Sequence, residues 1–224
     1  MLNRRRAALA GLLVVALATS LPAAEAGAVA LFDGKDLDGW DSFLVEPGAK
    51  TADVWSVHDG VLVCKGKPQG YLFTKRQYTS YALVVEWRWA PGTEPGNSGV
   101  LMRLNGEPKA IPRAFEAQLK SGDAGDLFGF WGMKLDGDEG RKRSTTGSEM
   151  VGDMVGVVKM EPAEKSPGEW NRYEIRLEGP RCTVHVNGKK VNEAWDMDVV
   201  AGAIGLQSEG GEIQFRKVEL TPIP

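Results

Sequence analysis

Two short segments gather side chains able to move protons. In Phe115-Glu116-Ala117-Gln118-Leu119-Lys120, an extended strand puts Glu116, Gln118 and Lys120 on one face and Phe115, Ala117 and Leu119 on the other, because alternate side chains of a strand share a face. In Asn97-Ser98-Gly99-Val100-Leu101-Met102-Arg103 the same parity sets Arg103 opposite Val100, Met102 and Leu104. A carboxylate, an amide and two cations on neighbouring strand faces would line a polar cleft with a base, an orienting group and donors for developing negative charge. Solvated faces of amphipathic strands carry the same pattern, so the surrounding elements must decide.

Other constellations are weaker. Asp33-Gly34-Lys35-Asp36-Leu37-Asp38-Gly39 lacks the spacing and the closing Glu of an EF-hand. His58 falls at a turn and His185 in a strand, with no ligand spacing, and no nucleophile elbow occurs. Asp136, Asp138 and Glu139 sit in a charge-rich stretch that reads as exposed. A retaining glycoside hydrolase needs a second carboxylate about 5–5.5 Å from the first. Gln118, not an acid, follows Glu116 on its face, so the partner must come from another element, with Glu86 and Asp123 as candidates. Among the seven tryptophans, Trp55, Trp87 and Trp170 fall in strand patterns and read as structural. Trp131 opens an irregular stretch and is the candidate sugar-stacking surface.

The elements that must position these groups are strands. Apolar-rich runs recur between turn signals at 54–57, 61–64, 71–74, 81–89, 98–104, 115–119, 173–177, 182–186, 203–207 and 213–220, and no helical period competes with them. Asn187-Gly188 between two such runs marks a hairpin. Many short strands with 28 glycines predict an all-β sandwich or jelly roll of two antiparallel sheets. Residues 132–165, charged and Gly-rich, read as a long loop insertion.

Arg4-Arg5-Arg6, an apolar run from Ala7 to Leu21 and small residues after Pro22 form an export signal over 1–26, with cleavage as late as residue 30. The apolar run is shorter than the roughly 20 residues of a membrane span. The expected mature protein, 27–224, is therefore one periplasmic or extracellular domain without a transmembrane segment. Removing Arg4, Arg5, Arg6 and Glu25 takes the net charge from −3 to −5, which speaks against a nucleic-acid partner. Cys64 and Cys182 could pair in an oxidising compartment or serve as buried small apolar residues.

The ordered blocks Leu31-Phe32-Asp33-Gly34-Lys35-Asp36-Leu37-Asp38-Gly39-Trp40, Trp55-Ser56-Val57-His58-Asp59-Gly60, Asn97-Ser98-Gly99-Val100-Leu101-Met102-Arg103, Phe115-Glu116-Ala117-Gln118, Gly168-Glu169-Trp170-Asn171 and Gly202-Ala203-Ile204-Gly205-Leu206-Gln207 resemble the 3-keto-disaccharide hydrolase, or 3-keto-glucoside 1,2-lyase/hydratase, family over nearly the whole mature chain. The resemblance implies a concanavalin A-like jelly roll acting on 3-keto glycosides supplied by a separate sugar 3-oxidoreductase. A C3 ketone acidifies the C2 proton, so a base can remove it while the C1 substituent leaves; an acid or a divalent cation would assist departure. In that frame Glu116 is the expected base and Arg103 and Asn97 the oxyanion or hydroxyl contacts. Gln118 and Lys120 contact substrate, and Trp131 stacks. A noncatalytic carbohydrate-binding module is the alternative, and an ordinary glycoside hydrolase the third reading.

Overall fold

Period-two alternation dominates the longer strands and builds two antiparallel sheets. The computed structural model describes residues 27–224, and the leader reading over 1–26 lies outside them. The first sheet contains β1 (Val29–Phe32), β3 (Trp55–His58), β4 (Val61–Cys64), β6 (Tyr81–Trp89), β12 (Asn171–Glu178), β13 (Arg181–Val186), β14 (Lys189–Ala194) and β16 (Ile213–Pro222). Its order is β14-β13-β12-β6-β16-β4-β3, with β1 also on β16. The second contains β2 (Trp40–Leu44), β5 (Gly70–Thr74), β7 (Gly99–Asn105), β8 (Arg113–Gln118), β9 (Leu127–Gly129), β10 (Lys142–Ser148), β11 (Gly152–Val157) and β15 (Ala203–Ser208). Its order is β10-β11-β9-β8-β7-β15-β5-β2.

The inner faces meet in one core. Trp55, Trp87, Tyr173 and Phe215 of the first sheet belong to the same buried cluster as Val100, Met102, Phe115 and Leu206 of the second. β6 shows why the layers form: its nine residues alternate strictly between buried and partly exposed, so one face is removed from water and the other is left to it. A smaller cluster of Tyr71, Leu101 and Ala114 lies on the outer face of the second sheet. Leu101 is the cross-strand partner of Glu116, and so shares its face. Among the described residues no helix is long and apolar enough to cross a membrane.

Residues 132–165 are not the loop expected from composition. After a short 3-10 turn at Glu139–Arg141, β10 and β11 form a hairpin, and β11 pairs with β9 to extend the second sheet by two strands. β10 is the outermost strand, partly or fully exposed at every residue. Backbone pairing with β11 holds it without any core-facing side of its own, which is why no hydrophobic alternation betrays it.

The cysteines do not pair. Cys64 lies on β4 and Cys182 on β13, with β12, β6 and β16 between them in one sheet. Four inter-strand steps of about 4.8 Å far exceed the roughly 4.4–6.8 Å Cα separation of a disulfide. Burial instead pushes the Cys64 thiol up to about 11 and the Cys182 thiol up to about 12. A thiol-reactive dye should therefore find no fast-reacting group in the native protein and two after denaturation without reductant; a protein with no titratable thiol when unfolded would refute the arrangement.

Candidate active site

A cleft of about 190 Å³ opens on the outer face of the second sheet. Enclosed small-molecule pockets run to roughly 300–1,000 Å³, so this one suits part of a ligand lying along the sheet rather than a swallowed molecule. Its polar walls are Asn97, Glu116, Gln118 and Glu209; its apolar walls are Ile111, Phe128, Phe130, Met150, Val151 and Met154.

Glu116 is 2% exposed, and its Oε1 has no hydrogen-bond partner. It reaches this position because β7 carries glycine at the diagonal position on the same face, two residues before its partner Leu101: a Cβ on Gly99 would sit 2.0 Å from Glu116 Oε1 and 2.5 Å from Gln207 Oε1. The carboxyl lies across bare backbone, close to the amide oxygen of Gln207, which is also buried and without a donor. Two buried acceptors side by side are satisfied when a proton stands between them, so this surrounding favours protonated Glu116. Desolvation holds the carboxyl well above the ordinary carboxylate range, and the charge of Glu209 adds to the effect.

The structure brings three of the expected residues together. Asn97 precedes β7, where its backbone N–H donates to Gly210 O at 2.9 Å, and its buried Oδ1 is unpartnered. Gln118 closes β8; its Oε1 accepts from the N–H groups of Leu119 (2.9 Å) and Lys120 (2.8 Å). That fixes the amide and leaves Nε2 as the free donor at the cleft. The same turn explains Lys120. The strand has ended, so its side chain leaves the Glu116 face and pairs with Asp123 at 2.9 Å.

Arg103 is a correction. A one-residue bulge in β7 interrupts register on both sides, between Met102 and Asn105 against β8 and beside Ala203 and Gly205 of β15. Arg103 there has φ of +50°. A bulge reverses side-chain parity, so Arg103 misses the cleft and is wholly buried, spending its guanidinium on three carbonyls. Nε and Nη2 donate to Thr79 O (3.0 and 2.7 Å), Nη2 also to Gly179 O (2.7 Å), and Nη1 to Asp198 O (2.6 Å). It ties the second sheet to the loops before β6, after β12 and after β14, and, buried outside the cleft lining, it does not reach a substrate oxyanion.

Trp131 is a second correction. Its indole N–H donates to Ile111 O at 2.7 Å, its ring packs on Gly152, and Lys109 Nζ stands 3.5 Å from the ring centroid. It is bonded to the lining residue Ile111 but is itself absent from the lining, as are the other six tryptophans. Trp170 instead packs against the guanidiniums of Arg88 and Arg216, which stand 4.4 and 4.6 Å from its ring centroid.

The second carboxylate is neither of those expected. Glu86 belongs to the first sheet, paired with Arg172 at 3.0 Å and Arg216 at 2.6 Å, and Asp123 is held by Lys120 and Lys159. Glu209 is the second carboxyl lining the cleft. It follows β15 in Ser208-Glu209-Gly210-Gly211, is partly buried at the cleft, and desolvation raises its carboxyl above the ordinary range. No spacing rule points to it, because it lies just past a strand end and is brought in by the Asn97–Gly210 backbone bond. Among the described residues no three or more His, Cys, Asp or Glu gather as a metal site. A hard cation here would find Glu116, Glu209 and the amide oxygens of Asn97 and Gln207.

The all-β sandwich is of the concanavalin A-like jelly-roll class, and its family match makes it a carbohydrate-active protein. The chain belongs to the 3-keto-alpha-glucoside-1,2-lyase-like family, whose profile matches residues 27–221. No curated protein sequence matches it. Among solved structures, a Parabacteroides distasonis protein described provisionally as a glycosyl hydrolase has 20% identity and a TM-score of 0.62, covering 88% of this chain and 95% of its own. The CBM66 carbohydrate-binding module of Bacillus subtilis has 12% identity and a TM-score of 0.58, covering 81% and 94%. These likenesses describe the fold alone.

Two variants separate site from scaffold. Gly99→Ala should displace Glu116 and cut activity by about 10²-fold, the scale of a 1 Å misplacement, in a folded protein. Arg103→Met should cost about 3 kcal/mol or more in urea unfolding by orphaning three buried carbonyls, while specific activity of the folded fraction holds. The reverse outcome would return Arg103 to the site.

Proposed function

We propose that the protein cleaves 3-keto glycosides by 1,2-elimination, with Glu209 and Glu116 as its base and acid. The observation that carries this reading is the unequal burial of two carboxyls in one cleft. Where two titratable groups share a site, the more desolvated keeps its proton and the other ionises first, and the environments thereby assign the roles. Glu116 was expected as the base; its burial, the facing Gln207 oxygen and the Glu209 charge all favour its protonated form, so the acid role fits it better.

The chemistry then balances. Glu209 takes the C2 proton, which the C3 ketone has acidified. The C2–H electron pair becomes the C1=C2 bond as C1–O breaks, and Glu116 delivers its proton to the departing oxygen. The Gln118 amide N–H is the donor available to the developing enolate oxygen, and Asn97 Oδ1 the acceptor available to a ring hydroxyl. Hydration of the enone would complete a net hydrolysis. The substrate requires a prior oxidation at C3 by a separate oxidoreductase, and the arginine-led apolar leader supports an exported protein. Glu209 beside Glu116 also favours a second reading, direct hydrolysis of an unoxidised glycoside.

Incubation with a glucoside and its 3-keto counterpart tests the choice. Release of aglycone from the keto form alone is expected; cleavage of the unoxidised glucoside supports the second reading, and cleavage of neither leaves a binding module. Glu116→Gln should lower turnover of a poor leaving group by about 10²-fold or more.

The same carboxyl sets a stability expectation. Its native pKa exceeds the unfolded value, so the folded state binds the proton more tightly. That contribution is full below the unfolded carboxylate pKa of about 4.3 and is lost as pH rises toward the native value. Glu116→Gln should therefore be more stable than wild type at neutral pH, with the gap closing toward pH 4 in denaturant titrations; an unchanged gap would show that Glu116 is not desolvated.

A further inference from the structure

We infer that the leaving group is an apolar aromatic aglycone, seated beyond Glu116 on Phe128, Phe130, Met150 and Met154. The inference rests on the glycoside-cleavage reading and adds the substrate class.

The strand order sets out the chemistry laterally. Crossing the second sheet, one meets Glu209 after β15, Asn97 before β7, Glu116 and Gln118 on β8, Phe128 on β9, and Met154 on β11. The polar groups lie on one side of the cleft and the apolar ones on the other. Glu116 marks the border, because its cross-strand partner on β9 is Phe128. An acid at that border protonates the glycosidic oxygen there. The sugar ring therefore extends toward Glu209, and the departing group toward β9 and β11.

What lies on that side has nothing to offer hydroxyls. Ile111, Phe128, Phe130, Met150, Val151 and Met154 carry no strong donor or acceptor, and the backbones of β9 and β11 are paired with each other. A second sugar there would cover hydroxyls without replacing their water contacts, whereas an aromatic ring would bury apolar area on both sides. The floor is flat. A Cβ on Gly156 would meet the Phe128 ring at 2.5 Å, so glycine alone lets that ring lie down on β11. The Phe128 and Phe130 rings are stacked, 6.0 Å apart and tilted by 12°. Met150, at the hairpin turn and 67% exposed, is the most exposed large apolar side chain described, and it stands at the cleft. Thioethers suit aromatic edges. A phenolic oxygen also leaves as a more stable anion than a sugar hydroxyl.

The test compares a 3-keto phenyl glucoside with a 3-keto disaccharide on wild type and on Met150→Gln/Met154→Gln, whose changes lie at half- or fully exposed positions. Each substrate serves as its own reference, which removes its intrinsic reactivity. The variant should lose about 10-fold in kcat/KM on the phenyl compound, mostly through KM, and less than about 3-fold on the disaccharide, the scale of apolar-contact discrimination. Equal losses, or a larger loss on the disaccharide, overturn the assignment. If neither keto compound is cleaved, the elimination reading fails separately. Calorimetry with the unoxidised phenyl glucoside and disaccharide then reads the seat: tighter phenyl binding that weakens in the variant supports it, and no such preference overturns it.

Discussion

The desolvation of Glu116 is the constraint around which the second sheet is arranged, because a carboxyl removed from water with no cation beside it must hold a proton or raise the energy of the fold. Each neighbour sustains that condition. Gly99 gives the carboxyl room to lie against β7, Leu101 and Ala114 dry its surroundings, and Gln207 presents an oxygen rather than an ion. The candidate cation, Arg103, is turned away by a bulge and satisfied elsewhere. Had Arg103 kept the parity of its strand, a cation on the Glu116 face would favour the ionised carboxylate.

That arrangement links stability to function in one direction. Glu116 Oε1 and Gln207 Oε1 are costs whenever Glu116 is ionised, and unpartnered Oδ1 of Asn97 is a cost to the empty protein that a ligand hydroxyl would offset. The scaffold that carries these costs lies behind the sheet. Tyr173 of β12 donates its hydroxyl to Gln118 O, and Arg103 ties β7 to the loops before β6, after β12 and after β14, so the cleft residues stand on strands anchored from the far layer.

Much of the fold is legible in the sequence where burial imposes a period. β6, β12 and β13 alternate cleanly, and Asn187-Gly188 with positive φ at both residues makes the predicted hairpin turn. The reading fails where no face is buried or the element is too short to show a period. β10 has no buried face, β9 has three residues, and neither leaves an alternating trace. The site divides the same way. Glu116 and Gln118 follow from parity along β8, whereas Arg103 defeats parity through a bulge, Lys120 through the end of a strand, and Glu209 by lying outside one altogether. Long-range register places Glu209 beside Asn97, and local sequence does not encode that register.

The account turns on which carboxyl handles the C2 proton, and a labelled substrate follows that proton directly. A 3-keto glucoside carrying deuterium at C2 and a poor leaving group would be incubated with wild type, Glu116→Gln and Glu209→Gln, and C2 label and released alcohol measured on the same samples. Elimination requires that wild type lose the label with each cleavage. Glu116→Gln should still exchange the label into water while releasing little alcohol, and Glu209→Gln should do neither. Products that keep their deuterium through cleavage by wild type, or exchange that survives in Glu209→Gln but not in Glu116→Gln, would contradict it.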